Sequence, residues 1–218
     1  MASALPHQSD RLFLTDGGLE TVLLFHLGID LPEFAAFTLL KDAEGERTLR
    51  TYFDDYLDVA RRHRSGFLLE AMTWRASRDW GEKLGYSARE LKEANQHAIR
   101  MLREIRDEHE GTIPGMVVSG CVGPRGDGYQ PGAMMDAAQS KDYHLTQIES
   151  LAAAGADVIS AMTMNNLNEP VGIAHAAREV GIPIAISFTV ETDGRLPGGE
   201  ALAEAIARVD EESDAYPA

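Results

Sequence analysis

Five short apolar runs in this sequence each lead directly into residues able to hold or transform a small polar molecule. The first, 12–15, ends in Asp16-Gly17-Gly18, a carboxylate followed by two residues without side chains. A carboxylate there can pair with an ammonium group, and the glycines let backbone approach a ligand; the same residues are also ordinary turn formers. The second run, 67–72, carries Glu70 in an apolar setting and passes into Thr73-Trp74-Arg75. A glutamate so placed reads as a structural residue or as support for a neighbouring group. The third, 116–120, leads into Cys121-Val122-Gly123-Pro124 and then Arg125-Gly126-Asp127-Gly128-Tyr129. The fourth, 157–162, ends in Met162-Thr163-Met164-Asn165-Asn166, and the fifth, 183–188, in Thr189, Glu191 and Asp193.

Other chemistries fit these residues less well. The stretch Gly123 to Gly128 lacks the Gly-Lys-Ser/Thr ending of a P-loop and the G-x-G-x-x-G spacing of a dinucleotide site, so it reads as a loop that shapes a pocket. Cys121 stands just past a strand, where a nucleophile could stand. A catalytic cysteine needs a neighbouring base, however, and the sequence commits none, so a small buried side chain is the simpler role. Because Cys121 is the sole cysteine, the chain forms no internal disulfide and no multi-thiolate metal site of its own. The seven histidines are scattered without ligand spacing.

The elements that must position these residues recur as one unit: amphipathic helix, glycine, apolar strand. Residues 49–63 place Leu49, Tyr52, Phe53, Tyr56 and Leu57 on one helical face, with Ser65-Gly66 as the stop. Residues 87–109 open on Ser87 and Glu90, a capping-box spacing. Asp136 caps the next helix, Asn168 caps one running to Val180, and a last helix covers about 199–209. Gly111, Gly155 and Gly181 follow helices as left-handed stops. Strands alternating with helices predict a parallel sheet, and near-continuous apolar strands such as IPIAIS predict burial on both faces. Five strands are legible, at about 12–15, 67–72, 116–120, 157–162 and 183–188. Local pattern alone leaves two architectures open: an open doubly wound sheet, or a (β/α)8 TIM barrel with about five of its units present, since eight at this spacing need roughly 300 residues. In either, ligands sit at the C-terminal ends of the strands, where the polar clusters fall.

Composition narrows the partners. The chain has 218 residues and a net charge of −15. An acidic surface without a basic stripe repels phosphate backbones, so no nucleic acid is expected. No apolar run reaches the ~18–20 residues of a membrane helix, and no secretory signal opens the chain. A cytoplasmic location and a small-molecule partner are the expectation.

Taken together, LTDGGLET, FLLEAMTWRAS, SGCVGPRGDGY, AAAGADVISAMT and PIAISFTVETDGRLPGG resemble, in order and spacing, the homocysteine S-methyltransferase family from about Arg11 onward. The resemblance implies a (β/α)8 barrel and a zinc ion that activates the thiol of homocysteine. The methyl donor it implies is a methylated sulfur, a betaine or a methylfolate, and the product methionine. It assigns Asp16 to the substrate's ammonium group, Gly17 and Gly18 to close backbone approach, and Thr73 to a polar position after strand two. Gly123 and Pro124 match the family's Gly-Pro.

Two departures stand out. The family's strand-four glutamate is Met162 here, so Thr163 or Asn165 would have to replace part of its grip by hydrogen bonding, and a related thiol or selenol becomes a candidate acceptor. The three zinc-ligand cysteines have no counterpart, and Cys121 matches none of them. The expectation is therefore a single barrel domain over 1–218 that stops before strand six, is inactive in zinc-dependent transfer by itself, and self-associates or needs a partner. The alternatives are a non-catalytic binding barrel, or another α/β enzyme using Asp16, Glu70 and Cys121.

Overall fold

The computed structural model describes residues 5–129 and 134–217. Strand β1 (Phe13–Thr15) leads into a single helical turn, α1 (Leu19–Thr21), and a wider turn over Val22–His26. Then follow α2 (Ala43–His63), β2 (Gly66–Glu70), α3 (Arg78–Lys83), α4 (Ala88–Glu108), β3 (Met116–Val122), α5 (Ala137–Ala153), β4 (Val158–Met164), α6 (Asn168–Val180), β5 (Ile184–Phe188) and α7 (Leu202–Ser213). The five strands form one parallel sheet in the order β1-β2-β3-β4-β5.

That order decides between the two architectures. A doubly wound sheet reverses direction at a switch point, which places helices on both faces. Here every crossover advances by one strand in the same direction, and right-handed crossovers then lay all helices on one face. The helices accordingly pack side by side, α4 on α5, α5 on α6 and α6 on α7. The sheet is a segment of a (β/α) barrel, and the doubly wound alternative is ruled out.

Strand alternation separates the two faces. Phe67 and Leu69 of β2 and Val118 of β3 join the main core with Phe53 and Leu57 of α2 and Ile99 and Leu102 of α4. The opposite face is layered along the strands. At its foot Val117, Val158, Phe13 and Leu68 pack under Leu5. One layer up, the Ser119 and Ser160 hydroxyls hydrogen-bond each other at 2.7 Å. Glu70, aligned with Ser119, enters at that level.

The expected helices are present with shifted limits: α2 starts at Ala43 rather than 49, and α7 runs over Leu202–Ser213 rather than about 199–209. Ser87 with Glu90 and Asp136 with Gln139 each form a full capping box. Asn168 does not cap α6; the Glu169 N–H donates to Asn166 Oδ1 at 3.0 Å, while Asn168 accepts from Arg208. Helix α2 ends on Arg64 in the left-handed region (φ 51°) rather than on Gly66. Gly66 is required for another reason: a Cβ there would stand 2.6 Å from the Phe13 ring on the neighbouring strand.

Candidate functional site

A cavity of about 360 Å³ opens at the C-terminal ends of β1 to β4. Its lining joins Asp16, Gly17, Gly18 and Glu20 from the β1 turn, Glu70 and Trp74 from β2 and its loop, Cys121 from β3, Tyr129 from the following loop, and Met162 and Thr163 from β4. Five segments far apart in sequence meet here because parallel strands deliver their C-terminal ends to one rim.

Asp16 emerges from β1 half-buried. Its Oδ2 lies 3.0 Å from the Tyr52 hydroxyl, which also reaches the Gly17 carbonyl at 3.1 Å, while Oδ1 is buried with no partner. Burial raises the Asp16 pKa to about 6, against the pull of Tyr52. Gly17 has open space where a side chain would stand, and Gly18 turns the chain into α1 with φ 66°. Glu20 is also raised, by burial and then by Asp16.

Trp74 forms a wall. Its indole N–H donates to Thr163 Oγ1 at 3.0 Å. Arg75 stacks across the Trp74 and Trp80 rings, at 4.6 and 3.8 Å, and lies 3.5 Å from Asp127. The loop after β3 closes over this wall: a Cβ on Gly123 would stand 2.4 Å from the Trp74 carbonyl, and one on Gly128 2.9 Å from the indole. Thr163 holds a left-handed backbone (φ 61°) at a break in the β4–β5 ladder, unusual for a β-branched residue. This turn brings its hydroxyl to the indole. Met162 faces the cavity, and its sulfur accepts a hydrogen bond from the Ser187 hydroxyl at 3.3 Å.

Of the residues singled out in the sequence, Asp16, Gly17, Gly18 and Thr163 meet at the cavity, and Thr73 and Asn165 do not line it. Thr73 is fully buried and donates to the Cys121 carbonyl at 2.7 Å. Asn165 donates to the Asp127 carbonyl at 2.7 Å and accepts from Asn166. Both fix the loops around the cavity. A second buried network supports them: Glu169 accepts from His144 at 2.8 Å, from the Arg125 N–H at 2.6 Å and from Asn166 at 3.2 Å. Burial pushes Glu169 up, but these donors outweigh it and hold the carboxyl below its ordinary value.

Glu70, expected as a structural or supporting residue, lines the cavity itself. It is half-buried as a residue, yet both carboxylate oxygens are buried without a hydrogen-bond partner. Burial drives its pKa to about 8; the Ser119 and Ser160 hydroxyls, close by but outside hydrogen-bond geometry, oppose the rise as weak donors, and Asp16 adds to it. Cys121 shares the cavity, so the set Asp16, Glu70 and Cys121 does come together. Cys121 is 5% exposed and burial pushes its thiol well above its ordinary pKa, the reverse of an activated nucleophile.

The residues present do not fit the zinc ion that the sequence resemblance implies. Among the described residues no group of three or more His, Cys, Asp and Glu is placed to hold a metal. The sole cysteine is buried and held in its protonated form. Among the described residues, no helix is long and apolar enough to cross a membrane.

Comparison with known proteins follows the same lines. The profile of the homocysteine S-methyltransferases matches residues 13–217. No curated protein sequence matches the chain. Among solved structures, the homocysteine methyltransferase MmuM from Escherichia coli in its metallated form superposes with a TM-score of 0.76 at 19% identity, covering 97% of this chain and 73% of that one. Its oxidized form gives 0.76 at 20% identity, covering 94% and 71%, and its apo form 0.69 at 20%, covering 98% and 71%. At such identities the likeness is one of fold, and it places the five strands in an incomplete barrel.

Proposed function

The chain belongs to the homocysteine S-methyltransferase family, and on that footing we propose that its cavity receives homocysteine or a close amino-thiol or selenol relative as the acceptor of a methyl group. The observation that carries this reading is Asp16, a half-buried carboxylate with one unpartnered oxygen at the rim of a cavity large enough for an amino acid. Asp16 holds the acceptor's ammonium group by a charge-assisted hydrogen bond, and Tyr52 fixes the carboxylate from behind. Gly17 leaves the entrance clear, while Trp74, Tyr129 and Met162 give the sulfur-bearing chain an apolar wall. In the transfer, the acceptor S–H releases its proton to solvent and the sulfur lone pair attacks the donor's methyl carbon, the demethylated donor leaving with the electron pair of its bond to that carbon. The new C–S bond forms as the bond to the leaving group breaks. With homocysteine the product is methionine. The donor belongs to the methylated sulfurs, betaines or methylfolates.

The described residues make no site for zinc. The 218-residue chain by itself binds the acceptor and does not perform zinc-dependent transfer. A reducing cytoplasm suits its single cysteine. Calorimetry with L-homocysteine and L-methionine tests the reading: binding that Asp16→Asn weakens supports it, and no binding of either amino acid refutes it. Transfer assays with the three donor classes and added zinc are expected to show no turnover by this chain alone.

A further inference from the structure

We infer that Glu70 is a second ligand for the ammonium group, so that the cavity grips a primary amine between a carboxylate at the end of β1 and one rising from inside β2. This rests on the acceptor-binding reading above and adds a specificity-determining residue to it.

Asp16 and Glu70 both line this cavity, and three of their carboxylate oxygens, Asp16 Oδ1, Glu70 Oε1 and Glu70 Oε2, are buried just beneath its surface without a hydrogen-bond partner among the described residues. A buried acceptor with no donor is costly to a fold that makes no use of it. Among the described residues, the surroundings of Glu70 supply no cation. From β1 it faces Asp16, from β3 Ser119 and the protonated Cys121, and from β4 Ser160, with Glu20 beyond Asp16. The two serines hydrogen-bond each other, which uses one of their two hydroxyl protons; the other leaves at most one neutral donor for Glu70 and no charge. Arg75, the basic side chain that acts on Glu20, stacks on the Trp74 and Trp80 rings and turns its Nη2 to Asp127; its Nε and Nη1 are buried without a partner, and it does not act on Glu70. A ligand that brings three N–H donors and a positive charge on a small head satisfies these oxygens together. A primary ammonium does so; a carboxylate or phosphate is repelled.

Geometry also explains why this carboxylate is not used by the fold. Glu70 lies on the inward face of β2 with Leu68, opposite the side on which Phe67 and Leu69 meet the helices. It therefore points up the barrel interior, above the apolar foot and beside Met162, whose thioether offers no charge.

The test compares L-homocysteine with 4-mercaptobutyrate, which lacks only the amino group, and adds L-methionine and propylamine as amines without the thiol. Each is titrated into the wild-type chain and Glu70→Gln by calorimetry at pH 7 in buffers of different ionisation heat. The variant keeps the shape and its thermal unfolding confirms that it is folded. The expected result is a roughly 10- to 100-fold loss of affinity for the amines in Glu70→Gln, with 4-mercaptobutyrate unchanged. Wild type also releases a proton on binding an amine, and the variant releases less. Equal amine affinity in wild type and Glu70→Gln overturns this inference and leaves the acceptor reading intact. Binding of propylamine but not of homocysteine, lost in the variant, sinks the acceptor reading and upholds Glu70. No binding of any amine overturns both.

Discussion

Replacing Glu70 by Gln should stabilise the folded protein at neutral pH. In the unfolded chain this carboxyl ionises near 4.5, whereas the folded protein holds its proton until about pH 8. Between those values the folded state carries a proton that the unfolded state has released, so stability falls as pH rises. The slope is about 1.4 kcal/mol per pH unit, so the loss from pH 4.5 to 7 is at most about 3 kcal/mol. Water reaching the open cavity reduces this, and about 2 kcal/mol is the working figure. Gln mimics the protonated acid and does not titrate. The two proteins should therefore match near pH 4 and diverge steadily towards pH 8, with Gln the more stable. For a chain of this size the gap at pH 7 corresponds to roughly 4–8 °C in melting temperature. Urea or thermal unfolding of both proteins across pH 4 to 8 measures it. Parallel stability curves, or a variant less stable at pH 7, would refute the assignment of an unpaired buried carboxylate. Asp16 contributes a similar decline between 3.8 and about 6 in both proteins, and it cancels in the difference.

Tyr52→Phe removes the hydroxyl 3.0 Å from Asp16; the midpoint of amine binding against pH should move above about 6, read by calorimetry, at about 1 kcal/mol of stability. Gly123→Ala drives a Cβ to 2.4 Å from the Trp74 carbonyl, so it should cost about 1–3 kcal/mol and weaken acceptor binding, whereas an unshifted melting temperature would show that the loop yields freely. His144→Ala leaves Glu169 buried without its strongest donor, with an expected loss of about 3 kcal/mol in urea unfolding at pH 7. In wild type, the stability from Glu169 is present above pH 4.5 and is lost as pH falls through its lower folded value; the variant should lack that acid-dependent step. Strands β1 and β5 each pair on one side only among the described residues, so self-association is expected; light scattering that reports a monomer at all concentrations would count against it.

The elements were legible because each carries a local signal. Helix faces repeat every three to four residues, a capping-box spacing marks the start at Ser87 and a capping aspartate the start at Asp136, and all five strands fall within about two residues of their predicted limits. The choice between barrel and doubly wound sheet was not legible from that pattern, since strand order is set by how units pack and both folds use the same unit. Helix α3 escaped because RDWGEK is short, polar and broken by Gly81. The stop at Gly66 was misassigned because a glycine after a helix has two explanations, a left-handed backbone or a close neighbour, and the close neighbour, Phe13, lies 53 positions away in sequence.

The site was legible as a rim and not as a division of labour within it. Thr73, Asn165 and Asp16 are equivalent in sequence, since each is a small polar residue just past an apolar strand. They part only when partners are counted. Thr73 donates to a carbonyl 48 residues on and Asn165 to one 38 residues back, so both are saturated by the loops they hold. Asp16 keeps one oxygen free and Glu70 two. Satisfaction is a property of distant pairs, which no local window displays. The alternation that turns Glu70 inward was present in the sequence, but FLLEAM is apolar on both faces, as a strand covered by helices on one side and a barrel interior on the other must be, and that hides a period of two. Glu70 was read as support because polar groups in apolar strands are usually paired. Here the pair is missing from the described residues, and the unpaired oxygens point to a cation that binds from outside.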